Sequence, residues 1–226
     1  MSPHLSLYED TYSNGATTSL PPAPRILFVV YGEISIGGHT LGECETWHGV
    51  EAALVRAGDA GASVWRWDLT EGPSPSLASD AVRSLAKLSA PLEALPKGDL
   101  LMRGDSVAFP PGGQALTHVH QGPGIRCLIE GGIRIDTRGR STAYGPGGAW
   151  FEGGPDAVFA QAALDRPTRF IRVMILPAAL LGKNSILYVN EAERDRPHSQ
   201  SYKRFVDAPI AFTLSPAIRP PRRSET

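Results

Sequence analysis

The chain repeats one pattern, and that repeat limits its fold more than any other feature. Val29–Ile36 (VVYGEISI) aligns with Leu128–Ile135 (LIEGGIRI), and Glu45-Thr-Trp47 aligns with Gly148-Ala-Trp150. After a two-residue gap Glu51–Leu54 matches Asp156–Phe159, and Ala62–Leu69 matches Thr168–Ile175 with Arg66 facing Arg172. Each copy reads as an apolar strand, a glycine turn, an alternating strand, a turn, an aromatic strand and a final strand. That alternation has the period of half-buried β-structure. Nothing before Ile26 matches Asp105–Ile125, so the first copy is expected to lack its opening strands. A truncated copy cannot close a barrel alone, and the two copies are expected to pack as one unit.

Composition agrees with an all-β chain. Its 226 residues include 24 Gly and 20 Pro, roughly a fifth of the total against about 12% in average usage. Residues that break helix interiors at this density argue against a helical bundle. Hydrophobic residues at 42% exclude a disordered chain. A net charge of −1 with no long basic run argues against nucleic acid and anionic membrane surfaces as partners. Only the tail Arg219–Arg223 is locally basic. Two cysteines, Cys44 and Cys127, make no disulfide framework and read as small buried side chains. No apolar run reaches the ~18 residues of a membrane span, and a reduced cytoplasmic setting is expected.

The pattern divides the chain into five parts. Residues 1–25 are polar and turn-rich and read as a flexible arm; 26–72 hold the partial repeat. In 73–98, Ser79-Asp80 caps a predicted helix with Ala81, Val82, Leu85 and Leu88 at helical spacing, ended by Pro91 and Pro96. Residues 99–178 form the complete barrel. Residues 179–226, punctuated by Pro197, Pro209, Pro216, Pro220 and Pro221, are expected to wrap it rather than extend it.

The sharpest chemical signal is Pro110-Pro-Gly-Gly-Gln-Ala-Leu-Thr-His118-Val-His120. Side chains two apart on a strand share a face, so the two imidazoles point together. That pair suits Zn, Fe, Ni, Cu or Mn when neighbouring strands add ligands. Equally, the pair is two polar residues on one strand face. After it come the strand Ile125–Glu130, the turn Gly131-Gly132, Pro146-Gly-Gly148 and the aromatic segment Ala149–Glu152.

The order and spacing of HxH, LIEGGIRI and PGGAWFE resemble the cupin family over Asp105–Leu176, and in part over Ile26–Leu69. The resemblance implies a cupin-type double-stranded β-helix, or jelly-roll barrel, often housing a metal-dependent enzyme of small-molecule metabolism. Two expected ligands are missing. Gly124 stands where the family places a carboxylate, and Val158 where it places a histidine. Glu152, on the face of Trp150 and beside the HxH strand, is the preferred third ligand, with Asp156 and Gln161 weaker. His118, His120 and Glu152 would then be a 2-His-1-carboxylate set for a divalent Fe, Mn, Ni or Zn ion, with Glu152 and Arg126 as catalytic candidates.

Family alignment turns Arg126 into the barrel. There it either holds Glu152 or Glu130, or clamps a substrate carboxylate. Trp47, Trp65, Trp67 and Trp150 read as barrel walls, with Trp150 also a cavity-lining substrate-binding candidate, and Tyr188 and Tyr202 read as covers of the mouth or as subunit contacts. His48 lacks a partner imidazole, and His39 and His198 fall in turns. Three functions stay open. One is a metal-dependent oxygenase, isomerase or lyase acting on a small carboxylate. Another is a non-catalytic binding or sensory cupin whose metal site has degenerated. The third is a structural or oligomerisation module. Exposed sheet edges favour a homodimer.

Overall fold

The computed structural model describes residues 2–77, 79–194 and 196–212. The first half supplies β1 (Pro3–Tyr12), β2 (Thr17–Leu20), β3 (Arg25–Ile36), β4 (His39–Leu41), β5 (Thr46–Gly49), β6 (Ala53–Glu71) and β7 (Val82–Pro91). The second supplies β8 (Leu100–Phe109), β9 (Gln114–His120), β10 (Gly124–Glu130), β11 (Ile133–Thr137) and β12 (Arg140–Tyr144). It continues with β13 (Ala149–Glu152), β14 (Val158–Ala162), β15 (Thr168–Pro177), β16 (Ile186–Tyr188) and β17 (Ser201–Ile210). In the first half β3 and β6 are long enough to span the whole unit, in the order β4-β3-β6-β1-β7 with β5 on β3 and β2 on β6. In the second half each long strand is broken in two. Two antiparallel sheets result, β13-β10-β15-β8-β17 and β12-β11-β14-β9-β16.

Register shows that the halves are one design used twice. Leu27 stands between Arg66 and Trp47, as Arg126 stands between Arg172 and Trp150. Arg66 faces Tyr8 on its other side, and Arg172 faces Asp105. Strand β1 therefore occupies the place of β8, β2 that of β9, and β7 that of β17. The repeat is complete in the first half, where a truncated copy was expected.

Three further expectations change with it. The polar segment 1–25 is no flexible arm: β1 lies between β6 and β7, and Leu5, Leu7 and Asp10 on it are fully buried. Its apolar residues are few, and only long-range pairing makes it a strand. The predicted helix after Ser79-Asp80 is strand β7, paired along its length with β1. Val82 and Ala90 are buried while Leu85 is exposed, so the helical spacing of its apolar residues has no helical face behind it. Ladder bonds to β1 outweigh local propensity. The C-terminal segment extends the sheets rather than wrapping them, with β16 on β9 and β17 on β8. Pro209 is tolerated because β17 is an edge strand. The basic tail Arg219–Arg223 lies outside the described residues.

Three large apolar clusters, and a small one of Leu101, Met174 and Leu176, are buried among the described residues. One fills the first barrel (Leu27, Val29, Ile34, Val55, Val64), and one fills the second (Phe109, Leu128, Ile135, Trp150, Phe170). The third joins the barrels through the outer faces of their large sheets: Phe28, Trp65 and Trp67 pack with Ile125, Cys127 and Ile171. Trp65 and Trp67 thus cement the barrels to each other, and Trp150 packs inside the second. Strand alternation puts Ile125 and Cys127 on that interface and leaves Arg126 facing inward. No described helix is long and apolar enough to cross a membrane.

Candidate functional site

The second barrel gathers His118, His120, Arg126, Trp150 and Glu152 around a small cavity of about 20 Å³. That is space for one water molecule. Strand β9 supplies the imidazoles. Strands β10 and β13 pair so that Gly124 faces Glu152 and Arg126 faces Trp150. All five side chains are buried. The sequence-level candidates therefore converge, and the other His residues stay apart: His39 is exposed, and His198 stacks on Tyr188 at 4.8 Å.

The hydrogen bonds fix most of the chemistry. His118 Nδ1 lies 2.7 Å from the Leu116 carbonyl oxygen and donates to it, leaving its lone pair on Nε2. His118 Nε2 and His120 Nε2 are 3.2 Å apart, so the proton between them sits on His120. His120 Nε2 is also 3.1 Å from Glu152 Oε2. Glu152 Oε2 takes the Arg126 guanidinium at 2.7 Å, and Oε1 accepts the Trp150 indole N–H at 2.8 Å. Trp150 is held by stacking on Tyr144 and by an edge contact with Phe170. Arg126 Nη1 donates to the Gly124 carbonyl at 2.7 Å. Between the two roles considered for Arg126, the geometry shows the hold on Glu152.

Burial sets the protonation states. It pushes His118 below the ordinary imidazole value and His120 down to about 3, against the opposing pull of Glu152. Burial lowers Arg126 to about 10, which still leaves it charged at neutral pH. Burial alone would raise Glu152, but Arg126 and then His120 outweigh it and hold the carboxyl below its usual range. The cluster is two neutral imidazoles and one internal ion pair.

Asp105 and Arg172, which sequence reasoning did not place in the site, stand beside it. Arg172 is bound to Asp105 by two parallel bonds of 2.8 Å, both partners buried. The available signal was Arg172 itself, a charge at an inward position of the apolar strand TRFIRVMIL, matched by Arg66 in the other copy. Arg172, Ile186 and Tyr202 line both the small cavity and a vestibule of about 890 Å³ at the barrel mouth. Four arginines border the vestibule, Arg103, Arg172, Arg194 and Arg204, against Asp105 and Glu191. Asp207 answers Arg103 and Arg204 from the side. Tyr188, Tyr202 and His198 add ring faces and polar tips.

Solved structures share this fold. Oxalate decarboxylase from Bacillus subtilis, in its structure at pH 4.6, matches 87% of this chain and 73% of its own at 13% identity and a TM-score of 0.58. A second structure of that enzyme, studied for its Mn(II) centres, matches 85% and 73% at 13% identity and a TM-score of 0.59. The chain has the cupin fold. A cupin 2 conserved barrel domain protein from Leptotrichia buccalis matches 77% of this chain and 84% of its own at 12% identity and a TM-score of 0.48. No family model matches the chain, and no curated protein matches it.

The cupin barrel does not present a metal donor set as it stands. Glu152 Oε1 already accepts the Trp150 indole N–H, and Oε2 is in ion-pair contact with the Arg126 guanidinium at 2.7 Å and 3.1 Å from His120 Nε2, with no well-directed hydrogen bond to either. For His120 to ligate through Nε2, its proton would move to Nδ1, a buried atom with no acceptor nearby. Among the described residues no three His, Cys, Asp or Glu side chains are placed to hold a metal ion together. The charge of Glu152 is cancelled by Arg126, so little remains to attract a dication. His118, His120 and Glu152 are neighbours, but the His118 lone pair faces His120 Nε2 and the Glu152 charge is paired with Arg126.

Proposed function

We propose that this cupin binds a small carboxylate-bearing molecule in the vestibule of its second barrel. The observation that carries this is the 890 Å³ space with more arginines than carboxylates on its wall, opening onto the buried His118–His120–Glu152 cluster. Its size is that of small-molecule sites, which combine apolar lining with a few convergent polar groups. The inner cavity admits a water molecule, so a metabolite sits outside it, against Tyr202 and Arg172. Arg126 then acts from behind, fixing Glu152, rather than clamping the ligand. The solved neighbours are named for decarboxylation of oxalate, itself a small carboxylate.

Thermal unfolding in a series of mono-, di- and tricarboxylates, with uncharged diols of matched size as controls, tests this reading. A bound carboxylate at 100 times its Kd adds about 2.7 kcal/mol, a rise of roughly 5–10 °C in Tm for a chain of this size. The response should weaken in Tyr202→Ala. No response to any carboxylate, or an equal response to the diols, would reject it.

The second reading is a metal-dependent cupin enzyme in which His118, His120 and Glu152 hold a divalent Fe, Mn, Ni or Zn ion. The approach of those three side chains to within 3.1–3.2 Å of one another along the series favours it. Elemental analysis of protein purified without chelator decides: one equivalent supports the enzyme, and less than about a tenth rejects it.

A further inference from the structure

We propose that Arg126 keeps the second barrel free of metal: its guanidinium is the fixed cation of the site, and a divalent ion can bind only once it is removed. This deepens the carboxylate-binding reading by saying what stands at the floor of that vestibule.

Three observations meet at this residue. First, Arg126 and Gly124 form a unit. The guanidinium folds back and donates to the Gly124 carbonyl at 2.7 Å, two residues earlier on the same strand. A Cβ on Gly124 would collide with the Val173 carbonyl oxygen, lie 2.8 Å from Met174 Cγ and meet Arg126 Nη1 at 3.1 Å. A side chain at that position is blocked first by the β15 backbone and then by Arg126. Second, Val158 faces His118 across the β14–β9 ladder and is buried, so that wall supplies packing and no donor. Third, Arg126 meets Glu152 at 2.7 Å on Oε2, the same oxygen that lies 3.1 Å from His120 Nε2. A dication on that oxygen would sit in contact with a buried guanidinium, charge against charge.

Removing the guanidinium reverses the third condition. The negative charge of Glu152 is then uncompensated beside a free Oε2, and the His118 lone pair already points at its neighbour. Three donors and a net charge of −1 are then available to an ion. A residue that merely braced Glu152 would leave the site empty of metal when deleted, only less stable.

The test uses Co²⁺ as the probe, on the full chain, with bound metal measured by elemental analysis and by visible d–d absorption after dialysis. Wild type and Arg126→Lys should each retain less than about a tenth of an equivalent. Arg126→Met should retain about one equivalent, lost again in Arg126→Met/His118→Ala. Because Arg126→Met leaves a buried carboxylate unpaired, it is prepared with and without Co²⁺, beside Arg126→Gln. Folded protein recovered only with Co²⁺ supports the proposal. One equivalent in wild type, or emptiness in both Arg126→Met and Arg126→Gln, overturns it. Recovery of neither variant in either medium counts against it too, since the freed cluster then fails to hold the ion that would satisfy it. Carboxylate binding by wild type is measured separately, so a wild type that took up both carboxylate and Co²⁺ would sink this inference alone.

Discussion

Mild acid should loosen this protein through His120, by an amount the structure allows to be worked out. The imidazole is buried, and burial pushes it down to about 3. In the unfolded chain it returns to about 6.5. A proton arriving on the folded form would go to Nδ1, a buried atom with no hydrogen-bond partner, since Nε2 already shares its hydrogen with His118. The unfolded state therefore binds more protons below pH 6.5, and stability falls as pH falls from there toward 3. At pH 5 this one site costs about 2 kcal/mol relative to pH 7, from the linkage relation. His118 and His48 are lowered by burial as well and add in the same direction. Glu9, Glu152 and Asp207, held low in the folded state, contribute only once pH drops toward their ordinary range near 4. The interval from 6.5 to 5 thus belongs to the imidazoles. Urea unfolding at pH 7 and pH 5 should show wild type losing at least about 2 kcal/mol at unchanged m. His120→Gln, which takes up no proton, should lose about 2 kcal/mol less over the same interval. Equal losses in the two proteins would refute the assignment of the acid response to this side chain.

Other outcomes follow from the same contacts. Gly124→Ala should destabilise by about 1–3 kcal/mol, the cost of overpacking, because its methyl meets Val173, Met174 and Arg126 at once; a neutral Tm would show that the strand pair can spread. Asp105→Leu leaves Arg172 buried without its two carboxylate bonds, and chemical denaturation should register a loss of about 3–5 kcal/mol. Asp105→Leu/Arg172→Met should recover most of it, and a double variant no better than the single would show that the pair was not the unit lost. We also expect a homodimer formed through sheet edges, with β7, β12, β16 and β17 terminating the sheets; light scattering that gives a monomer mass would count against it.

How much of this was legible beforehand depended on whether the signal was periodic. The inward position of Arg126 came from the family resemblance, since alternation could not be counted across the Gly122–Gly124 turn, and the structure has it inward between Trp150 and Arg172. The repeat alignment matched Trp47 with Trp150 and Arg66 with Arg172, and both matches are rungs of the same register. Strand β1 escaped notice because its burial is polar: Ser6 and Asp10 are fully buried, and Asp10 is held by Arg66 from β6, 56 residues away. No local pattern announces a buried aspartate whose partner lies on another strand. Strand β7 was misread for a related reason, since an edge strand with one buried flank carries too few apolar residues to distinguish period 2 from period 3.6. In the site, residue types pointed to His118, His120 and Glu152, and the structure brings them together. Whether their lone pairs were free for an ion turned on Arg126 Nη2 and His120 Nδ1, which only the packed geometry reveals.

The two barrels show how one scaffold serves two ends. Each buries two arginines and two carboxylates near the same rung: Arg25 and Arg66 with Asp10 and Asp68 in the first, Arg126 and Arg172 with Asp105 and Glu152 in the second. In the first barrel the four close on themselves. Asp68 receives both Arg25 and Arg66, the hydroxyls of Ser74 and Ser84 bond Asp68 and Asp10, and the Tyr8 ring lies under the Arg66 guanidinium at 4.6 Å. In the second, Asp105 stands where Tyr8 stands in the first, and Arg126 where Leu27 stands. Those exchanges separate the charges into two pairs, and the space between the pairs is what His118 and His120 face. A closed network of four is satisfied without any ligand, whereas two pairs flanking neutral imidazoles leave polar groups turned toward an opening. Partner-removing substitutions in the first barrel should therefore change stability alone, while those in the second should change stability and binding together.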